Sequence, residues 1–227
     1  MTSTGTRPVP GSVAPRRRSR RSGRVIGAIA ATTVVGGLAV STQIRHDTTT
    51  TSVPDVREVA VDIGAGPVTL HGGDGDAVVI RSTPYGLFMS SSAPRHDVVD
   101  GVLRITSACS GVAFHCHTRE EITVPAGVPV RVHTGAGDVT AVDLDVPRFT
   151  VSAGAATVTA SFVSPPEEVR ISTGAAGNVE IRVPEGDYRV DADAAVGTED
   201  VRVDVVPSAP RSIDASTGVG RITVEQR

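Results

Sequence analysis

Two cysteines and two histidines, Cys109, His115, Cys116 and His117, fall within nine residues. These residue types ligate zinc or exchange electrons. Their spacing argues against both. Neighbours on an extended strand point to opposite faces, so Cys116 cannot easily share a metal with both flanking histidines. A redox pair needs a C-x-x-C-like spacing, and six residues separate these cysteines. The reading that fits is a Cys109–Cys116 disulfide closing a short loop in an oxidising compartment. By chain entropy it would contribute about 2–3 kcal/mol. No metal and no cofactor is expected.

The other candidates are weaker. Gly72 to Asp76 reads G-G-D-G-D, like the start of a calcium-binding nonapeptide repeat. Ala77 stands where that repeat carries its next Asp, and no tandem copy follows, so a Gly-Asp turn before a strand is the better reading. Asp62, Asp143, Asp145, Glu180, Asp191 and Asp214 are scattered among turns and solvent faces. Glycan cleavage needs two carboxyl groups converging on one bond. No nucleophile elbow, short His-Asp pair or metal motif appears. The chain therefore reads as a non-enzyme. Two carboxylates stacked on adjacent units inside a groove would reverse that reading. Arg131, Arg170 and Arg189 occupy equivalent outward positions in separate repeats. They form a candidate stripe for an anionic wall polymer or lipid headgroup.

The elements that position these residues come from one repeating unit. Val130 to Ala141 reads V-R-V-H-T-G-A-G-D-V-T-A. Val130, Val132 and Thr134 share one face of an extended strand, Arg131 and His133 the other. A Gly-rich corner follows, and Val139 resumes the alternation. Inward pairs recur before the corners at Phe149/Val151, Val169/Ile171, Tyr188/Val190 and Ile213/Ala215, and after them at Val158/Ala160, Val179/Ile181, Val201/Val203 and Ile222/Val224. Gly135, Gly154, Gly174 and Gly218 mark the corners, where glycine accepts positive φ. A unit of about 20 residues cannot bury its own apolar face, but stacked units can. The expected fold is all-β: a single-stranded parallel β-solenoid, one short coil per repeat. The alternative reads each unit as a hairpin within an antiparallel sandwich. With aromatics at 3% and no Trp, the core is expected to be thin and filled by Val, Ile, Leu and Ala.

Charge divides the chain. Residues 1–45 hold eight Arg and no acid, while the remainder is acidic. An acidic body argues against nucleic-acid binding. Residues 1–24 read as a disordered basic tail with Arg16, Arg17, Arg18, Arg20, Arg21 and Arg24. Val25 to Ile44 follows without a charge and is long enough to cross about 30 Å of hydrocarbon as a helix. Basic residues before it place the N-terminus in the cytoplasm. Two readings fit, a permanent single-span anchor and an export signal cleaved near Ser41. Either puts the body, residues 56–227, outside the cytoplasm beyond a polar linker at 45–55.

Residues 82–98 and 106–119 interrupt the repeat and carry Tyr85, Phe88, Met89 and Phe114. Insertions in repeat proteins map to loops on one face, often the binding face. These four residues are the candidate contact surface. They also fit as caps over the end of the core.

The G-A-G-D-V-type repeats, the N-terminal apolar segment and a Cys pair before the regular units resemble the putative-adhesin domain family of bacterial envelope proteins. The similarity spans about Val56 to Arg227. It implies a right-handed β-solenoid outside the membrane and an adhesin-like binding or structural module without catalysis. A sensory or accessory subunit of a membrane system is the alternative, and an envelope carbohydrate enzyme a third. Envelope polymers and membrane proteins are the expected partners. The chain departs from the family pattern at residues 193–200, where Asp193 replaces the corner glycine.

Overall fold

The computed structural model describes residues 48–85, 95–107 and 117–227. The expected membrane helix at 25–44, Phe88, Met89, Phe114, Cys109 and Cys116 lie outside the described residues, as does the side chain of Tyr85. All regular structure described is β, in fifteen strands joined as one mixed sheet. No helix among the described residues is long and apolar enough to cross a membrane.

Two parallel ladders form most of the sheet. The first joins β2 (Glu58–Ala65), β8 (Val130–Ala136), β10 (Arg148–Ala155), β12 (Glu168–Ala176) and the first half of β15 (Ser212–Gln226). Val61, Val132, Val151, Ile171 and Ala215 fall on one row of it, all buried. The second joins β3 (Val68–Gly73), β9 (Val139–Leu144), β11 (Val158–Phe162), β13 (Val179–Val183) and the second half of β15. There Val68, Val139, Val158, Val179 and Ile222 make a continuous buried row. Strict alternation puts each polar neighbour outward, so repeats in register bury like against like. The strands flanking a corner do not pair with each other: β8 pairs β2 and β10, while β9 pairs β3 and β11. A hairpin would pair β8 with β9, so the ladders exclude the sandwich of hairpins.

Both ends depart from chain order. At one, β6 (Val102–Ser107) and β7 (His117–Pro125) add outside β2 and β3. Antiparallel strands finish that end: β5 (Arg95–Val99) on β6, β4 (Ala77–Tyr85) on β7, and β1 (Thr49–Pro54) on β4. At the other, β14 (Arg189–Arg202) pairs among the described residues only with β15, so β15 lies between β14 and the β12/β13 layer. Composition explains the exchange. Facing β15, strand β14 offers the half-buried Val190, Ala192 and Ala194, and it sets Glu199 in the row of Ile222. So small and polar a layer suits the end of a stack, where one side meets solvent. Val201, expected inside, is 38% exposed for that reason.

Val, Ile, Leu and Ala fill most of the core, and among the described residues three aromatics lie within it. Phe149 and Phe162 meet edge to face with centroids 5.7 Å apart. Tyr188 is buried and donates its hydroxyl to the Pro184 carbonyl at 2.8 Å.

The corner glycines answer to close approach rather than to φ. A Cβ on Gly154 would lie 2.4 Å from the carbonyl oxygen of Gly135, and one on Gly135 2.5 Å from that of Gly64. Positive φ falls on the second glycine of the motif, Gly137, at 130°.

Candidate functional site

The outward face of the first ladder carries the arginines singled out in the sequence. Register sets Arg131, Thr150, Arg170, Asp214 and Asp191 side by side on successive strands. Arg170 is held by Glu168 at 2.8 Å and by Asp214 at 3.5 Å. Arg189 does not join this row. It stands opposite Ser212, which in turn faces Glu168, two residues before Arg170. The structure thus brings Arg131 and Arg170 together across Thr150 and leaves Arg189 displaced. Sequence spacing could not show this, because β14 takes its register from β15 rather than from β12.

Asp62 apart, the carboxylates named in the sequence separate into three places. Asp214 and Asp191 stack on adjacent strands, but on an open sheet face rather than in a groove. Asp143 and Asp145, with Asp74 and Asp76 of the Gly-Asp turn, line a cleft of about 620 Å³. Asp143 pairs there with Arg227 at 2.9 Å, and Asp145 accepts a hydrogen bond from Ser164. Among the described residues no group of three or more His, Cys, Asp or Glu could hold a metal ion. Glu180 borders a second hollow, of about 720 Å³, beside Asn178, Thr198, Arg221 and Thr223. Gly197 and Gly220 line it too, and the Arg221 Nε donates to Thr198 at 3.2 Å.

One acid escaped the sequence reading. Glu120 on β7 occupies the position of Val68 in the inward row of the second ladder and is fully buried. Ser82 on β4 donates to its Oε2 at 2.5 Å, while Oε1 has no partner. Burial pushes the Glu120 carboxyl up to about 7, against the opposing pull of the Ser82 hydrogen bond. That value suits a general acid, but a side chain without solvent access cannot touch a substrate. The signal was present in the alternation: Glu120, Ile122 and Val124 share one parity of β7 and are buried.

His96 on β5 also has an unpartnered nitrogen, Nε2. Burial lowers its pKa, with Asp97 opposing.

No protein-family model and no curated protein matches this chain. Solved structures do. A putative cell adhesion protein from Clostridium sporogenes aligns at 14% identity over 80% of this chain and 99% of that one, with a TM-score of 0.58. A putative adhesin from Bacteroides fragilis aligns at 13% identity over 78% and 97%, with a TM-score of 0.33. One from Parabacteroides merdae aligns at 12% over 80% and 95%, with a TM-score of 0.26. The first likeness is one of fold, and the lower scores of the other two carry no argument.

Proposed function

We propose that this protein is an adhesin-like binding or structural module of a bacterial cell envelope, without catalysis. Its body is a right-handed, single-stranded parallel β-solenoid outside the cytoplasm. Residues 25–44 tether it to the membrane. The observation that carries this reading is the pair of in-register parallel ladders, whose rows of side chains present a long, regular polar face. Such a face suits the display of repeated contacts better than the enclosure of one small substrate. The likeness to the Clostridium sporogenes structure supports the fold on which the reading stands. The contact surface includes Tyr85, Phe88, Met89 and Phe114, with Arg131 available to anionic groups on an envelope polymer or a membrane protein. Cys109 and Cys116 form a disulfide.

The test is retention. Full-length protein in mild detergent is mixed with envelope extract, and saturable binding is scored together with release of soluble sugar. Saturable binding without sugar release supports the module. Sugar release, or no binding, overturns it.

A further inference from the structure

The outer face of the first ladder dips at Ala60. Ala60 lies between two register partners with long side chains, Arg104 on β6 and Arg131 on β8. Two residues along β2, Asp62 lies between Thr106 and His133. These six residues line a notch of about 240 Å³. Its cause is one methyl group standing where both neighbours carry guanidinium groups. The two arginine backbones are two strand spacings apart, about 9–10 Å, and the Arg row lies about 7 Å from the Asp62 row along the strand.

The charges around this notch are not engaged in holding the fold. Arg104, Asp62 and His133 have no side-chain hydrogen bond or ion pair among the described residues. Arg131 reaches only Glu58, at 3.6 Å. Asp97 stands opposite Arg104 on β5 without pairing to it. Further along the same face the polar groups are committed: Arg170 to two carboxylates, and Ser172 to Ser216 at 3.0 Å. Free groups of both signs around a hollow favour a ligand that also carries both signs. A simple anion would meet Asp62, and a simple cation would meet two arginines.

We infer that the notch binds a small zwitterion whose carboxylate sits over Ala60 between Arg104 and Arg131, and whose ammonium group sits on Asp62. The row spacing sets the two charges about 7 Å apart. That separation belongs to an ω-amino acid, or to the carboxylate and side-chain ammonium of a carboxy-terminal lysine. Each guanidinium offers a planar fork to the carboxylate. The notch is shallow, and the Arg131 side chain is 67% exposed, so solvent screens each contact and a single site binds weakly. A ligand displayed in many copies would hold through effective concentration. This inference rests on the binding-module reading and names a ligand class for it.

The test titrates the full-length protein by calorimetry with 6-aminohexanoate, hexanoate and hexylamine. Two arms identify the source: a peptide ending in lysine and the same peptide amidated at that end. The expected result is saturable binding of 6-aminohexanoate, with both single-charge analogues weaker by about tenfold or more. R104Q and D62N should each weaken it by about fivefold or more, and A60L, which fills the notch, should abolish it with the β-sheet spectrum unchanged. Preference for the free-acid peptide over its amide assigns the site to lysine termini. Binding of 6-aminohexanoate without that preference assigns it to free ω-amino acids. Hexanoate binding as tightly as 6-aminohexanoate, no saturable binding, or indifference to both R104Q and D62N would overturn the inference. Envelope retention of the same variants separates the two readings. Retention of the wild type without zwitterion binding removes the notch and keeps the module. Zwitterion binding without retention does the reverse.

Discussion

The Asn178 Oδ1 accepts the backbone N–H of Arg221 at 3.0 Å, although the two residues are 43 apart in sequence. Asp138 does the same for Thr157, at 3.2 Å. Each acceptor stands immediately before a buried valine, Val179 or Val139. The Asp or Asn that follows the second glycine of the motif therefore ties its own layer to the next. Asp138→Ala should cost about 1 kcal/mol, while Asp138→Asn should be close to neutral, because Asn178 already performs this role. Urea unfolding midpoints of the two variants check the contrast.

Corner glycines of adjacent layers should differ sharply. Nothing lies within 4 Å of a Cβ built on Gly64, whereas one on Gly137 would lie 2.3 Å from the carbonyl oxygen of Gly66 at a φ of 130°. Gly137→Ala should cost about 2 kcal/mol or more, and Gly64→Ala less than about 1. Thermal melts would show it. Equal losses at the two sites would refute the role given to close approach.

Glu120 makes stability depend on pH. Its folded value, about 7, lies above the ordinary 4.5, so the folded state holds the proton more tightly. The stabilisation from that proton is fully present below the unfolded value and is lost as pH rises toward the folded one. The span corresponds to about 3 kcal/mol at most. Glu120→Gln keeps an acceptor for Ser82 and removes the titration. Its advantage over the wild type should therefore grow between about pH 4.5 and about pH 7 and then level off. His96, with its lowered pKa, pushes the other way, so the difference between wild type and variant is the quantity to measure.

Tyr188→Phe removes a hydroxyl that serves the Pro184 carbonyl beneath the terminal layers. The expected loss is about 1–2 kcal/mol, without change in the secondary-structure spectrum. Denaturant titration followed by circular dichroism tests both halves of that statement.

The Cys109–Cys116 pairing predicts a gain in mass of two hydrogen atoms on treatment with a thiol reductant, and no free thiol beforehand. An unchanged mass with two reactive thiols would remove it.

The inward positions were legible because a period of two survives any choice of partner. Val132, Phe149, Ile171 and Ile222 are buried where the alternation put them. The order of the layers was not legible. Near-identical repeats offer near-identical edges, and local pattern does not say which unit adjoins which. The same ambiguity hid the displacement of Arg189, and it concealed that Arg131 shares a hollow with Arg104 rather than a row with Arg189. Glu120 was legible but unread, an acid on the buried parity of an apolar strand.

The position of β15 has a consequence for how damage spreads. Neighbours in the stack are not neighbours along the chain there. Deleting residues 189–202 would peel one outer layer and expose the next. Deleting residues 212–226 would remove an inner layer and strand β14, whose only ladder partner among the described residues is β15. Two contiguous segments of similar length thus differ in the number of interfaces they hold, one against two. Tolerance to deletion in this region should fall toward the end of the sequence, opposite to the usual fraying of a terminus.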